Sequence, residues 1–150
     1  MVTGQTMRVN DILRKKGTEV ATIDPDATVA EAVDVLHRRR IGALVVSSDG
    51  QQIEGILSER DVVGALAELG VSVLTVPVRQ IMTAKVITCA PGDELRALAI
   101  TMTDKRFRHM PVTVDEKLAG IVSIGDVVKH RVDELQTEHD QLIEYISSSG

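Results

Sequence analysis

A nine-residue stretch occurs twice in this chain, and that duplication narrows the available folds more than any other feature of the sequence. Gly55-Ile56-Leu57-Ser58-Glu59-Arg60-Asp61-Val62-Val63 returns as Gly120-Ile121-Val122-Ser123-Ile124-Gly125-Asp126-Val127-Val128, with six of nine positions identical. A chain that repeats itself in this way is built from two copies of one supersecondary unit. In each copy a short apolar run ends at Ser, and an apolar-periodic stretch begins at or just after it. This is the pattern of a buried strand turning into a helix. Ser58 and Ser123 therefore stand where helix N-caps belong.

Local sequence leaves two roles open for the Ser-x-x-Asp element. In one, it is a variant capping box: the hydroxyl accepts a first-turn N–H and the Asp three residues on reaches back. In the other, the helix N-terminus faces an anion, Ser adds a hydroxyl, and Asp61 or Asp126 accepts hydrogen bonds from a ribose cis-diol.

The duplication extends beyond the motif. Val9-Asn10-Asp11-Ile12-Leu13 and Val78-Arg79-Gln80-Ile81-Met82 are short amphipathic lead-ins, the first followed by a basic Arg14-Lys15-Lys16-Gly17 that reads as a solvated turn. Val20 to Ile23 and Val86 to Cys89 have strand composition, and each is followed closely by proline, Pro25 and Pro91. A helix is expected after each. Thr28-Val29-Ala30-Glu31 is a capping box, and Val29, Ala32, Val33 and Leu36 form an apolar stripe matched in the second half by Leu95, Leu98, Ala99 and Met102.

Basic clusters follow, Arg38 to Arg40 and Lys105 to Arg106, placed to complement a helix C-terminus. Arg108 and His109 fall at a strand start, where a ligand role is more open. Hairpin turns at Ser47 to Gly50 and Asp115 to Lys117 lead back into the motif strands. Each unit thus reads strand-helix-strand-strand-helix, with units at 7–70 and 78–135, an apolar and therefore packed connector at 71–77, and a C-terminal extension at 136–150. In that extension Val128, Val132, Leu135, His139, Leu142 and Ile146 trace a narrow helical seam. The seam is either packed on its own domain or a dimer contact. Ser147 to Gly150 are expected to fray.

Composition excludes several classes. Net charge is −5 with no basic stripe, and Phe107 and Tyr145 are the only aromatic residues, so a base-stacking surface for nucleic acid is not expected. No apolar run approaches the roughly 18 residues of a membrane span, and the polar start Met1 to Gln5 lacks a signal-peptide core. A cytoplasmic protein is expected. The single Cys89 reads as a small core residue, and His37, His109, His130 and His139 are not at metal-ligand spacings. With no nucleophile-elbow sequence either, an enzyme is not expected.

Two units of this order, each closing with Gly-apolar-apolar-Ser-x-x-Asp, resemble a tandem pair of cystathionine-β-synthase (CBS) domains, a Bateman module, of the stand-alone bacterial signal-transduction type. The likeness runs over about residues 7 to 135, nearly the whole chain. The resemblance implies an α/β (α+β) fold of two units about a pseudo-twofold axis, with two clefts for an adenine nucleotide: AMP, ADP, ATP, NAD or S-adenosylmethionine. It also implies a homodimer, an effector protein in trans, a role in signal transduction or stress response, and no required metal. Carried over by position, Asp61 and Asp126 hold ribose hydroxyls, and Ser58 and Ser123 face phosphate or sugar. Thr22 and Thr88, with the strand starts Gly42-Ala43 and His109-Met110, border the adenine. So few aromatics imply an aliphatic slot that reads the base edge. The two copies differ in where they carry positive charge, Arg60 inside the first motif and Arg108-His109 opposite the second, so clefts of unequal affinity are expected. The alternative is a ligand-free interaction or scaffold protein in which Ser-x-x-Asp only caps helices.

Overall fold

The computed structural model of the protein describes residues 6–148; the polar start Met1–Gln5, and Ser149 and Gly150 among the residues expected to fray, lie outside the described residues. In chain order the elements are α1 (Val9–Lys16), β1 (Thr22–Ile23), α2 (Val29–Arg39), β2 (Ala43–Val46), β3 (Gly55–Ser58), α3 (Glu59–Leu69), α4 (Leu95–Lys105), β4 (His109–Val114), β5 (Lys117–Ser123) and α5 (Ile124–Ser148). Two 3-10 turns, Gly70–Thr75 and Val78–Gln80, join the halves. The fold is mixed α+β. In the first half β2 is central, parallel to β1 and antiparallel to β3; in the second, β4 and β5 form an antiparallel pair with an irregularity between Val112 and Thr113.

Helix starts and buried faces follow the local chemistry. Thr28 Oγ1 accepts the Glu31 N–H at 3.2 Å and the Glu31 carboxylate accepts the Thr28 N–H at 3.1 Å, closing the capping box of α2. Val29, Ala32 and Leu36 on α2 are buried, as are Leu95, Leu98 and Met102 on α4. Both helices end in a left-handed residue, Arg40 (φ 53°) and Arg106 (φ 58°).

The second half departs from expectation at its leading strand. Val86 to Thr88 form no strand, and pairing is reduced to one parallel bridge between Cys89 and Val112, with Cys89 N–H donating to Pro111 O at 3.0 Å and Thr113 N–H to Cys89 O at 2.9 Å. Val86 and Ile87 instead line a cavity described below. Cys89 itself is a core residue, and burial, with Asp93 nearby, pushes its thiol up to about 12.

The lead-ins are exchanged. Val9, Ile12 and Leu13 of α1 pack in a core with Leu95, Leu98, Met102, Met110, Val122 and Val127, all of the second half. Val78, Ile81 and Met82 pack with Ile23, Ala32, Leu36, Leu44 and Leu57 of the first. Each lead-in runs over a motif glycine: a Cβ at Gly55 would lie 2.6 Å from Met82 Sδ, and one at Gly120 would lie 2.8 Å from Leu13 Cδ2. A bridge from Ile56 to Thr83 (3.0 and 2.9 Å) clamps the second lead-in to β3. The connector is packed at Val73, which is fully buried, and Val76 O accepts the Val29 N–H at 3.0 Å.

On α5 the buried positions are Val127, His130 and Glu134, with the Glu134 carboxylate accepting the Met7 N–H at 2.5 Å. The expected seam is therefore not the face packed on its own domain: Val128, Val132, Leu135, Leu142 and Ile146 are 46–60% exposed. Ser147 and Ser148, expected to fray, continue the helix, the Ser148 hydroxyl donating to Tyr145 O at 3.1 Å. Among the described residues no helix is long and apolar enough to cross a membrane.

Candidate functional site

Both Ser-x-x-Asp elements are closed capping boxes. Ser58 Oγ accepts the Asp61 N–H at 3.2 Å while Asp61 Oδ2 accepts the Ser58 N–H at 2.9 Å; Ser123 and Asp126 repeat this at 3.1 and 2.9 Å. The first helical N–H groups are also used, Glu59 donating to Gly42 O at 3.0 Å and Ile124 to Arg108 O at 2.7 Å. These helix starts therefore offer an incoming anion fewer free amides than the motif alone implies. What they leave available is side-chain chemistry. Each Ser hydroxyl still has its proton to donate, and each Asp has a second oxygen. Asp61 Oδ1 meets the Thr83 hydroxyl at a loose 3.5 Å.

Asp61 lies on a cavity of about 290 Å³ between the two halves. One wall is Gly42, Ile56 and the start of α3, Ser58 to Asp61; the other is Thr83, Lys85, Val86 and Ile87, with Arg106 to His109 entering β4. Four cations, Arg60, Lys85, Arg106 and Arg108, share it with two carboxylates, Glu59 and Asp61. Burial, then the nearby Lys16, holds the His109 imidazole below its ordinary pKa against the opposing pull of Glu59 and Asp126, so it is neutral near pH 7. The cavity has a carboxylate at the motif and an excess of positive charge around it, the pattern expected for a ligand carrying both hydroxyls and an anionic group.

Six of the sequence-derived candidates meet here: Gly42, Ser58, Arg60, Asp61, Arg108 and His109. Ser123 and Asp126 form the second motif site, where the Lys16 ammonium reaches Asp126 Oδ2 at 2.6 Å. The expected solvated turn is exposed as expected but helical, Lys16 standing in the last turn of α1, which ends at Gly17. The other four candidates are elsewhere. Ala43 and Met110, 6% and 2% exposed, are buried in the cores, and Thr22 and Thr88 are exposed and off the cavity lining. Gly42, just before β2, and His109, first in β4, line the cavity, and the residue after each turns inward.

The placement of charge also differs from expectation. Arg108 and His109 adjoin the second motif, His109 pairing with Ser123 and Arg108 O accepting the Ile124 N–H, yet they also line the first cavity with Arg60. The starts of β2 and β4 abut, a Cβ on Gly42 lying 3.1 Å from His109 Cε1, so the two strand mouths open together. Sequence reasoning passed over Lys85, Thr83, Arg106, Val86, Ile87 and Phe107. The signal for Lys85 was available: aligning Val78 with Val9 and Ile81 with Ile12 sets Lys85 beside Lys16. Phe107 adds an aromatic ring to a lining expected to be aliphatic. Among the described residues no group of three or more His, Cys, Asp or Glu side chains could hold a metal.

Two copies of one α+β unit, interlocked by exchanged lead-ins and sharing a polar-rimmed cavity at the motif, define a tandem-repeat ligand-cleft module. The family model for the CBS domain matches residues 9–68 and again 78–133, and the chain belongs to the CBS-domain family as a tandem pair. A CBS-domain containing protein of Agrobacterium tumefaciens has the same fold at TM-score 0.80, with 44% identity over 83% of this chain and 99% of that one. CBS domain-containing protein CBSX3, mitochondrial, of Arabidopsis thaliana is 37% identical over 95% of this chain and 73% of its own length. The CBS domain pair of protein MJ0100, solved in complex with 5′-methylthioadenosine and S-adenosyl-L-methionine, is similar at TM-score 0.75 and 25% identity, covering 86% of this chain and 98% of that one.

Proposed function

We propose that this protein is a regulatory sensor of an adenine nucleotide bearing phosphate, AMP, ADP, ATP or NAD, and not an enzyme. The carrying observation is the cavity at Asp61, in which two carboxylates, Asp61 and Glu59, stand among the four cations Arg60, Lys85, Arg106 and Arg108. Asp61 Oδ1 accepts from the ribose diol while Oδ2 keeps the helix cap, so capping and ligand binding do not compete for the same atom. The apolar side chains Ile56, Val86, Ile87 and Phe107 take the base, and the cations take the phosphate. Similarity to a CBS pair solved with adenosine-containing ligands supports the adenosine half. The local charge argues for phosphate over the cationic sulfonium of S-adenosylmethionine, because like charges in a partly dry site repel.

In this reading, binding favours one arrangement of the two halves, which an effector protein in signal transduction or stress response then reads in the cytoplasm. The cavity bridges the halves, so a ligand there contacts both. We assign a second copy of the chain to the exposed seam of α5 with Val63, Leu66 and Leu69 of α3, since these two helices carry most of the exposed large apolar side chains. Light scattering should give twice the chain mass of 16.3 kDa; a monomer at micromolar concentration overturns that assignment.

The decisive experiment for the function is a thermal-shift panel of AMP, ADP, ATP, NAD and S-adenosylmethionine. A ligand at 100 times its Kd stabilises the fold by about 2.7 kcal/mol. Phosphate-bearing ligands are expected to shift Tm most. No shift with any of them returns the protein to the scaffold class, and preference for S-adenosylmethionine overturns the charge argument.

A further inference from the structure

We infer that His109 reads the charge of the ligand in the first cavity: its imidazole takes up a proton when a phosphate-bearing nucleotide binds, so affinity rises as pH falls. This rests on the nucleotide reading above and adds to it the residue that couples binding to pH.

The two halves touch at the cavity through this residue. His109 opens β4 in the second half, and its ring lies over Gly42 of the first: a Cβ there would stand 3.1 Å from His109 Cε1 and 3.2 Å from Nε2. The Glu59 carboxyl carbon lies over the same glycine, 3.9 Å from that position, and the Glu59 N–H, the first of α3, donates to Gly42 O at 3.0 Å. Imidazole and carboxylate are therefore neighbours at the start of the motif helix, and both line the cavity. Among the described residues no group hydrogen-bonds to the His109 ring. Its nitrogens are left to a ligand, one as donor in the neutral ring and both as donors once it is protonated.

Charged groups reach His109 from several elements. Lys16 at the end of α1 and Arg108 beside it in the chain oppose a positive ring, while Glu59 on α3 and Asp126 on α5 favour one. Lys16 and Asp126 are bonded to each other at 2.6 Å, so their fields partly offset. The cavity's further charges are Arg60, Lys85 and Arg106 against Asp61. Burial is the largest influence, and it keeps the ring neutral in the free protein. A bound phosphate changes this balance by bringing about one to two negative charges into a partly dry space, where they favour imidazolium more than they would in water. The protonated ring gives the phosphate another donor, and its charge offsets Glu59, a carboxylate that otherwise repels an anion. The complex then holds its proton to higher pH than the free protein does. The gain in affinity is complete below the free-protein pKa, which lies under the ordinary 6.5, and is lost above the pKa in the complex. A gap of one pH unit between the two corresponds to about tenfold in affinity.

The test is isothermal titration of the full chain with AMP, ATP and NAD from about pH 5.5 to about pH 8, each in two buffers of unlike ionisation enthalpy, which counts the protons taken up. Terminal phosphates titrate near pH ~6 themselves, so the quantity read is the difference between the natural chain and His109→Gln, which stays polar and cannot become charged. NAD, whose diphosphate has no such ionisation, gives the reading directly. Relative to His109→Gln, the natural chain is expected to gain about tenfold in affinity towards the acid end and to take up about half a proton more per ligand near pH ~6.5. His37→Gln, exposed at the end of α2, should follow the natural chain. His109→Asn repeats the test should His109→Gln lose its Tm. Proton uptake equal in the natural chain and both His109 variants, or a relative affinity that stays flat with pH, would overturn the inference while leaving the nucleotide reading in place. No binding of AMP, ATP or NAD to any of the proteins at any pH would overturn both.

Discussion

Asp61→Asn is expected to weaken nucleotide binding at the first cleft by about 10- to 150-fold, the equivalent of one hydrogen bond to a charged group at roughly 1.5–3 kcal/mol. The substitution is chosen because Asn can still accept the Ser58 N–H that Asp61 now receives at 2.9 Å, so the cap of α3 is largely kept. What is lost is the charge facing the ribose diol. Tm without ligand should therefore fall by little while affinity falls by much. A 2′-deoxynucleotide should lose affinity for the natural chain and little more for the variant, because the diol and the carboxylate form one interaction. An unchanged affinity with a lowered Tm would mean that Asp61 is a helix cap and nothing else. Titration calorimetry separates the two outcomes.

The two roles read into Ser-x-x-Asp were local alternatives; the structure shows the caps, and the proposed function makes both roles parts of one arrangement. Capping uses the Ser acceptor lone pair and one carboxylate oxygen; the Ser proton and the other oxygen remain. This division was not visible in the sequence because it depends on what stands opposite the helix start. At Asp61 that is a cavity wall 22 residues away in the chain, at Asp126 a lysine 110 residues away.

Legibility sorts along the same line. The capping box at Thr28 and Glu31, the matched apolar faces of α2 and α4, and the duplicated order of elements depend on neighbours three or four residues apart, and such patterns are written directly in the chain. The fold family was legible because two such units stand in register. Three features were not. Val86 to Thr88 has strand composition, yet β4 is reached only by Cys89, so the strand is absent. Arg108 and His109 were assigned by repeat symmetry to the second motif alone, and the abutting starts of β2 and β4 bring them to the first cavity as well. Lys16 belongs to a basic cluster of the kind usually solvated, and only the exchange of lead-ins takes it to Asp126. Each depends on tertiary placement that overrides a sound local reading.

The exchange of lead-ins is also where a small substitution should do most damage to the fold. Gly55→Val is expected to destabilise the protein by about 1–3 kcal/mol, as overpacking of a close contact does. In a chain of this length each kcal/mol corresponds to about 2–4 °C in Tm. The cause is space, since Gly55 is not among the residues with positive φ. Its Cβ would meet not only Met82 Sδ at 2.6 Å but also the Thr83 carbonyl oxygen at 2.9 Å, and Thr83 is hydrogen-bonded to Ile56 on the same strand. Backbone held in this way cannot turn aside. At Gly120 the obstruction is the end of the Leu13 side chain at 2.8 Å, which a rotamer change relieves. Replacing Gly by Ala at an ordinary backbone conformation returns about 0.4–1 kcal/mol through the unfolded chain, enough to offset that smaller adjustment. Urea unfolding should therefore rank Gly55→Val as most harmful, Gly55→Ala next, and Gly120→Ala near neutral. Gly55 variants that remain folded should also bind nucleotide more weakly, because displacing Thr83 moves the wall that carries Lys85. Equal destabilisation by Ala at the two glycines would show that the lead-ins yield equally, and that the clamp at Thr83 does not fix the first cleft.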